Sequence, residues 1–244
     1  MSDVLLSMQD LCIATPDRHL VDGVSFEVRQ GRVTAVIGES GSGKTLSARA
    51  AMGVIDVDPG LVRGVLRYPK ISDADLFAGC RGGGVSAQAQ LSRETRQYRG
   101  GYVTYSPQSA SSALNPGRTI GRQLELAIGR RERAPESLAT AVMSVLDEVG
   151  LPHRASSALP KELSGGMAQR AALAIAIAPD PKVLIADEPE TGLDPVLRRI
   201  VTELMLNVAA DRGVGLLLIS HNMDTVERVA DDVVRMSDTH GGHA

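Results

Sequence analysis

The sequence predicts an α/β fold with a mostly parallel sheet, and two observations carry that prediction. Several short runs rich in Val, Ile and Leu end at polar or glycine positions, which is typical of buried parallel strands. These runs are residues 33–37, 102–105, 183–186, 216–219 and 233–236. Helical patterns lie between them, and strands that alternate with helices favour a sheet covered by helices.

Two of these helices carry clear boundary signals. Residues 195–211 place apolar side chains at helical spacing, with Asp194 as the N-cap, Pro195 at the first helical position and Gly213 after the last turn. Residues 137–149 form the second helix, which a glycine and a proline follow. Because these signals are local, they predict both helices independently of the rest of the fold.

We expect a single domain over the whole chain of 244 residues, with an inserted subdomain. Residues 109–178 show helices and loops and form that helical subdomain, so residues 1–108 and 179–244 form the α/β core. Weak alternation over the first 30 residues predicts antiparallel strands flanking the core. Residues 79–101 are rich in glycine and arginine and are predicted to be a long mobile loop or hairpin.

Composition limits the classes of function. The chain is 43% hydrophobic and 23% charged, with a net charge of −3. No apolar run approaches the roughly 18 residues of a membrane span, and the acids near the N-terminus argue against a secretory signal. Without a basic excess, a dedicated nucleic-acid binder is disfavoured. These features favour a cytosolic protein.

The cysteines and the terminal histidines are interpreted without a metal role. Cys12 and Cys80 lie far apart and match no ligand spacing, so we expect reduced thiols rather than a disulfide or a metal site. His240 and His243 lie near the C-terminus and are interpreted as part of a polar tail.

The segment IGESGSGKT, residues 37–45, carries the first chemical signal. It follows a predicted strand, precedes a predicted helix and fits the spacing of a phosphate-binding P-loop. Its glycines let backbone amides turn toward phosphate oxygens, Lys44 would supply a charge and Thr45 could hold Mg²⁺. A plain Gly/Ser turn is the alternative, but such a turn needs no lysine. The predicted nucleotide-binding residues are Gly38, Glu39, Ser40, Gly41, Ser42, Gly43, Lys44 and Thr45.

A pair of acids narrows the chemistry. Asp187 and Glu188 end the apolar run VLIA. An aspartate at the carboxyl end of a parallel strand can hold the metal's water shell, and the following glutamate can orient the water that attacks the γ-phosphate. A helix N-cap with an acidic neighbour is the alternative, and the P-loop on the same chain makes it less favoured.

The segment LSGGMAQR, residues 163–170, predicts a second anion site. Ser164 and two glycines stand before a long helical run, where amides, a hydroxyl and the helix dipole meet. One chain rarely needs two such sites for one triphosphate. We therefore expect the second site to close on a nucleotide that another subunit holds.

With these segments together, the chain resembles the nucleotide-binding subunit of an ATP-binding cassette (ABC) transporter over nearly its whole length. The motifs occur in that family's order: residues 38–45, Gln108 in YSPQ, residues 163–169, residues 183–188, Asp194 in TGLD and His221 in LLLISHNMD. The resemblance implies a P-loop NTPase core of the RecA-like kind, with ATP and Mg²⁺ as cofactors.

The resemblance also implies roles for single residues. Glu188 would be the catalytic base, His221 would contact the γ-phosphate, and Gln108 would contact Mg²⁺ and the attacking water. Asp194 would lie at the dimer interface. The implied Mg²⁺ ligands are Thr45, Gln108 and Asp187. The signature residues that would contact the ATP of the opposite subunit are Ser164, Gly165, Gly166 and Gln169.

Within the family, YSPQSASSALNP at residues 105–116 is similar to the dipeptide, oligopeptide and nickel importers. That branch implies a membrane permease, a second ATPase subunit (identical or related) and an extracytoplasmic solute-binding protein, with no nucleic acid. The chain would be peripheral on the cytoplasmic face of the cell membrane. An exporter subunit, a non-transport ABC ATPase and a P-loop kinase remain as alternatives. Where the family has an adenine-stacking aromatic this chain has Thr15, and where the branch has Thr it has Glu190.

Overall fold

The computed structural model describes residues 3–236, which alternate between strands and helices as the sequence predicts. The strands are β1 (Val4–Ala14), β2 (His19–Arg29), β3 (Val33–Ile37), β4 (Gly60–Arg67), β5 (Val103–Ser106), β6 (Val183–Asp187), β7 (Gly215–Ile219) and β8 (Asp232–Arg235). The α-helices are α1 (Lys44–Ala50), α2 (Gly84–Glu94), α3 (Ala110–Ala113), α4 (Ile120–Ile128), α5 (Leu138–Glu148), α6 (Gly165–Ile177), α7 (Pro195–Arg212) and α8 (Met223–Val229). His240 and His243 lie outside the described residues.

The chain forms two compact units, and the first contains residues 1–99 and 215–244. Its antiparallel sheet has the strand order β2-β1-β4, which confirms the antiparallel strands predicted near the N-terminus. Its parallel part places β3 between β7 and β8. All five residues of β3 and of β7 are buried, as a continuous apolar run in a parallel sheet predicts.

The second unit contains residues 100–214. Its strands β5 and β6 pair in parallel, from Val103 opposite Val183 to Ser106 opposite Ala186. Between them, residues 109–178 form helices α3 to α6 with short 3₁₀ turns and no strand, as the sequence predicts. The boundaries of a helical subdomain at 109 and 178 stay a prediction, since the compact unit is larger and includes both strands.

The helix caps of the second unit follow the local signals. The Asp194 carboxylate accepts hydrogen bonds from the amides of Val196 and Leu197, at 2.9 and 3.0 Å, and caps α7. Gly213 ends that helix with a left-handed φ of 63°. The Ser137 hydroxyl accepts from the amide of Thr140 and caps α5. Both predicted helices are confirmed.

The prediction of a mobile loop at residues 79–101 is wrong, because α2 packs there. Gln88 is buried, and its amide nitrogen donates to the carbonyls of Val57 and Pro59 at 2.8 Å each. Leu91 is also buried, and its carbonyl accepts from the hydroxyl of Thr95. The helix is anchored by one apolar residue, Leu91, and one polar residue, Gln88, so its sequence shows little apolar periodicity. The hydrogen bonds from Gln88 to the distant backbone carbonyls hold it in place.

Strand β4 is an element that the sequence pattern does not reveal. Gly60 and Gly64 interrupt it, and glycine normally weakens a strand. Pairing with β1 supplies its hydrogen bonds, for example at Met8 opposite Leu66. At Gly64 the reason for glycine is steric, because φ is +136° and an added Cβ would lie 3.2 Å from the Cα of Leu11.

Two expectations about the whole chain concern membranes and cysteines. Within residues 3–236, no helix combines the length and the hydropathy that a bilayer crossing requires. Cys12 and Cys80 are both buried and both free of a disulfide, as expected.

Candidate nucleotide-binding and hydrolysis site

The P-loop connects β3 to α1 in the first unit, as its spacing predicts. Gly41 and Gly43 have φ values of +88° and +90°, which let successive amides turn toward the same side of the loop. A Cβ at Gly41 would meet nothing within 4 Å, so this part of the loop is open. At Gly43 a Cβ would lie 2.6 Å from the carbonyl oxygen of Leu20. The loop is therefore open on one side and pressed against β2 on the other.

Lys44 is held against the start of the same loop. Its ammonium group donates to the carbonyls of Gly38 and Glu39 at 2.8 and 2.7 Å, and the residue is only 6% exposed. A buried ammonium is tolerated because these carbonyls accept hydrogen bonds from its N–H groups. Thr45 follows and is exposed. The ordered ammonium group of Lys44, the exposed Thr45 and the open part of the loop at Gly41 fit the needs of a Mg²⁺-bound triphosphate.

Ser42 is the buried member of the loop. Its hydroxyl is fully buried and has no hydrogen-bond partner within residues 3–236, whereas a Cβ on Gly38 would lie 2.7 Å from it. Ser42 therefore fills the back of the loop and leaves no space there for any residue but glycine at position 38. Its predicted role as a nucleotide contact stays a prediction.

His221 follows β7 in the first unit and is exposed. Asn222 next to it caps α8 by accepting from the amide of Thr225, and its own amide donates to the Ser220 hydroxyl at 3.0 Å. These two bonds fix the turn that carries His221. The imidazole thus sits on a rigid strand-to-helix turn, which suits a side chain that must contact a ligand.

Gln108 and Glu188 meet in the second unit. The amide nitrogen of Gln108 donates to Oε2 of Glu188 at 3.1 Å, across 80 residues of sequence. The Thr191 hydroxyl donates to the same oxygen at 3.0 Å. Glu188 also has a left-handed φ of 45°, which is uncommon for a residue with a side chain. Two donors and an unusual backbone hold this carboxylate in one orientation.

Asp187 precedes Glu188 and is held separately. It is 3% exposed, and its Oδ2 accepts a hydrogen bond of 2.7 Å from the phenol of Tyr105. Tyr105 lies on β5 and Asp187 ends β6, so the parallel pairing of these strands brings them together. Mg²⁺ prefers oxygen ligands, and the Asp187 carboxylate meets that preference, while the predicted metal-binding roles of Thr45, Gln108 and Asp187 stay predictions.

The signature segment forms the first turn of α6. The Ser164 hydroxyl accepts from the amide of Met167 at 3.3 Å and caps the helix. Gly165 is exposed, and a Cβ there would meet nothing within 4 Å. A Cβ on Gly166 would instead lie 2.7 Å from the Leu197 side chain. Gly165 thus keeps the outer surface of the helix start open, whereas Gly166 lets α7 pack closely against it.

Gln169 connects the signature helix to the acid pair. It is buried, and its amide nitrogen donates to the carbonyl of Pro189 at 2.9 Å, one residue after Glu188. Gln169 therefore acts within its own chain, where it braces the segment that carries Glu188. A contact between Gln169 and the nucleotide of another subunit stays a prediction.

Sequence reasoning missed two residues of this site. Thr191 lies within TGLD but shows no feature beyond an ordinary loop threonine. Tyr105 stands two residues before proline in YSPQ, where a strand tyrosine is ordinary. The Tyr105 hydroxyl gains its partner only when β5 pairs with β6, whereas Thr191 lies three residues from Glu188 and reaches its carboxylate through the turn between them.

Comparisons with known proteins show the family of the chain. The family model described as "ABC transporter" matches residues 21–191. The nickel import ATP-binding protein NikD of Rhodospirillum rubrum is 38% identical over 240 residues, covering 95% of this chain and 83% of that protein. The chain belongs to the ABC transporter family. The dipeptide transport ATP-binding protein DppD of Escherichia coli is 36% identical over 88% of this chain, which spans 63% of that relative's length.

Solved structures of ABC cassettes share the fold. The structure of cbiO1 from Clostridium perfringens has a TM-score of 0.75 at 22% identity and covers 96% of this chain and 85% of that one. The ATP-binding cassette MJ0796, solved as a dimer bound to ADP and phosphate, has a TM-score of 0.74 at 19% identity, covering 95% of this chain and 94% of the other. The P-loop NTPase fold is confirmed, and this ABC protein is an ATPase.

Proposed function

We propose that this ABC ATPase powers solute uptake through a membrane permease of the nickel- or peptide-transport type. The observation that carries the proposal is its similarity along 95% of its length to a nickel import ATP-binding protein. Dipeptide and oligopeptide transport ATP-binding proteins are also similar, at 36% and 33% identity. These relatives support an importer over the exporter and non-transport alternatives.

The binding step rests on the P-loop and its cation. The open amides around Gly41 and Gly43 bind phosphate oxygens, and Lys44 neutralises their charge. Mg²⁺ supplies charge neutralisation when bound, through the hydroxyl of Thr45 and the carboxylate of Asp187. The Tyr105 hydrogen bond holds that carboxylate in one orientation.

The hydrolytic step rests on the second unit. Glu188 accepts a hydrogen bond from the attacking water and orients it, since phosphoryl transfer depends mostly on positioning and charge. Gln108 and Thr191 fix the orientation of the carboxylate, and His221 contacts the γ-phosphate. Dimerisation brings the exposed Ser164 and Gly165 of one subunit to the nucleotide of the other. Asp194 lies at that interface while it caps α7.

Partners follow from this function. Two ATPase subunits, identical or related, close on ATP, and the permease follows their movement. The chain itself is peripheral on the cytoplasmic face of the membrane, and an extracytoplasmic protein delivers the solute.

Substitution Glu188→Gln tests the closed dimer. The variant keeps the size of the side chain but cannot orient the water, so ATP stays bound and holds two subunits together. Light scattering of the full chain with Mg²⁺ and ATP should give a dimer for Glu188→Gln and a monomer for Glu203→Gln, an exposed acid on α7. A monomeric Glu188→Gln protein, alone and with its related partner subunit, contradicts the proposal.

Substitution Ser164→Arg tests the contact between subunits. The arginine blocks the signature turn, so cooperative ATP hydrolysis should be lost while binding of one ATP per chain persists. Ser137→Arg removes a cap from α5 in the same unit and serves as the control for helix destabilisation. Full ATPase activity in Ser164→Arg would exclude the two-subunit mechanism and leave a kinase-like site.

The transported solute is tested in vesicles. The ATPase, reconstituted with the permease that copurifies with it, should couple ATP hydrolysis to uptake of radiolabelled Ni²⁺ or of a dipeptide. Uptake of one of them identifies the solute class. ATP-dependent efflux, with uptake of neither, would reverse the proposed direction.

A further inference from the structure

Three side chains with metal-binding atoms meet in the first unit, on the two strands that precede the P-loop strand in the sequence. Cys12 lies on β1, and His19 and Asp22 lie on β2. Within residues 3–236, this is the group whose cysteine, histidine and carboxylate ligand atoms all lie within 4.8 Å of one another. The Cys12 Sγ lies 3.7 Å from Nδ1 of His19, and that nitrogen lies 3.6 Å from Oδ2 of Asp22.

These separations are close to those of a tetrahedral zinc site. Bond lengths of about 2.3 Å to sulfur and about 2.0–2.1 Å to nitrogen and oxygen place neighbouring sulfur and nitrogen ligands about 3.6 Å apart. The same bond lengths place nitrogen and oxygen ligands about 3.3 Å apart. Movements of a few tenths of an ångström would bring these two edges to tetrahedral lengths, and the third edge, from Cys12 to Asp22, lies within 4.8 Å. The same His19 nitrogen faces both of the other ligands, as one shared ion requires.

The backbone gives the three residues this arrangement. β1 and β2 form an antiparallel hairpin in which Ala14 lies opposite His19 and Ile13 opposite Val21. Thr15 and Arg18 close its turn, where the Thr15 amide donates to the Arg18 carbonyl at 2.9 Å. The ligands therefore stand on both sides of a short, hydrogen-bonded turn, and their separation is set by strand pairing.

Arg63 orients the carboxylate. Its Nη2 donates to Oδ1 of Asp22 at 2.7 Å, so that Oδ2 is the oxygen toward His19, and its Nε donates to Asp10. Although burial opposes ionisation, the hydrogen bond and charge of Arg63 lower the pKa of Asp22. Outer partners of this kind commonly hold a ligand in position.

We propose that Cys12, His19 and Asp22 bind one Zn²⁺-class divalent cation, with the fourth position open to solvent. A thiolate with an imidazole selects borderline and soft cations and disfavours Mg²⁺ and Ca²⁺, which take oxygen ligands. The side chains of His19 and Asp22 are 50% and 46% exposed, so the ion has a path to Cys12, which is fully buried. The proposal departs from the expectation that Cys12 has no metal role.

The binding step is a ligand exchange. The sulfur–metal bond forms as the Cys12 thiol releases its proton to solvent, and the His19 ring nitrogen and the Asp22 carboxylate each supply a lone pair to the ion. No electron is transferred. Burial raises the pKa of the Cys12 thiol, which opposes the loss of this proton.

The alternative is a hydrogen-bonded chain without a metal. In that case Nδ1 of His19 either accepts from the Cys12 thiol at 3.7 Å or, when it carries a proton, faces the Asp22 carboxylate at 3.6 Å. Such a chain also explains the short separations, but it produces no metal–sulfur bond. Spectroscopy with a coloured cation separates the two.

The test uses Co²⁺ as the probe on the metal-free full chain, prepared without an affinity tag and without nucleotide. One equivalent of Co²⁺ should produce a near-ultraviolet charge-transfer band from thiolate to metal and visible bands of a tetrahedral ion. One equivalent of Zn²⁺ should remove both. Absence of the charge-transfer band, at saturating Co²⁺, overturns the proposal.

Matched variants assign the ligands. Cys12→Ser should lose the charge-transfer band, whereas Cys80→Ser, which alters the other buried cysteine, should keep it. His19→Ala should weaken Co²⁺ binding at least tenfold, whereas His153→Ala, which alters a histidine with its own carboxylate partner, should leave it unchanged. A band that survives Cys12→Ser, or that Cys80→Ser removes, overturns the assignment.

A stability measurement covers the case in which Cys12→Ser folds poorly. Zn²⁺ binds only the folded hairpin, so it should raise the melting temperature of the parent chain and of His153→Ala but not of His19→Ala. His19 is half exposed and its substitution leaves the buried core intact. An equal Zn²⁺-induced shift in all three proteins overturns the proposal.

Discussion

The P-loop and the cluster around Glu188 achieve rigidity in different ways. In the P-loop, Gly41, Gly43 and Lys44 lie within four residues, and backbone carbonyls of the same loop hold the lysine. Around Glu188, side chains hold side chains, and Gln108 comes from 80 residues away. A local site therefore depends on backbone conformation, whereas a non-local site depends on the pairing of strands. Substitutions should affect the two differently.

The largest effect is expected at Lys44. Lys44→Ala removes the charge that neutralises the phosphates, so ATP hydrolysis should fall by about two to three orders of magnitude. Phosphate release from the full chain is the measurement, with Lys70→Ala, an exposed lysine, as the control. Retained activity in Lys44→Ala would mean that the amides of the loop stabilise the phosphates for hydrolysis without the ammonium group of Lys44.

The next effect compares two glycines of the same loop. Gly43→Ala forces a Cβ to within 2.6 Å of the Leu20 carbonyl at a left-handed φ, so unfolding free energy should fall by more than the roughly 1–2 kcal/mol of the φ strain alone. Gly41→Ala has the same left-handed φ strain but open space around the new Cβ. Its unfolding free energy should therefore fall only by the amount that the φ strain costs. Urea unfolding measures both. Equal losses would mean that the loop shifts freely away from β2.

A smaller effect is expected in the non-local cluster. Thr191→Val removes one of the two donors to Glu188 and keeps the shape of the side chain. Because a hydrogen bond to a charged group contributes about 1.5–3 kcal/mol, kcat should fall about tenfold or more while the fold stays intact. Thr140→Val, at an exposed position on α5, is the control in steady-state ATPase assays. An unchanged kcat would show that the carboxylate is positioned without the Thr191 hydroxyl.

The smallest effect separates two roles of Asp194. Asp194→Ala and Ser137→Ala each remove an N-cap in the second unit, and each should cost about 1 kcal/mol of stability. If Asp194 also serves the interface between subunits, only Asp194→Ala should lower ATPase activity further. Unfolding curves and ATPase rates measured on the same samples make the comparison. Equal ATPase rates would limit Asp194 to its cap.

Prediction from the sequence succeeded where signals are local. The strand at residues 33–37, the caps at Ser137 and Asp194 and the P-loop all depend on neighbours within a few residues. The helix α2 was missed because Gln88, a polar residue, is one of its anchors. Tyr105 was missed because Asp187 becomes its neighbour only when β5 pairs with β6, and Thr191 was missed because a threonine three residues after a glutamate carries no signal until the turn between them is known.

The sequence alone determined the α/β class, the order of the motifs and the family, because glycine spacing, caps and apolar runs act through short-range sterics and hydrogen bonds. The tertiary structure decided the rest. It brought Gln108 to Glu188, Tyr105 to Asp187 and Cys12 to His19. Strand pairing sets the register between distant segments, and cross-strand neighbours depend on that register rather than on any single stretch of residues.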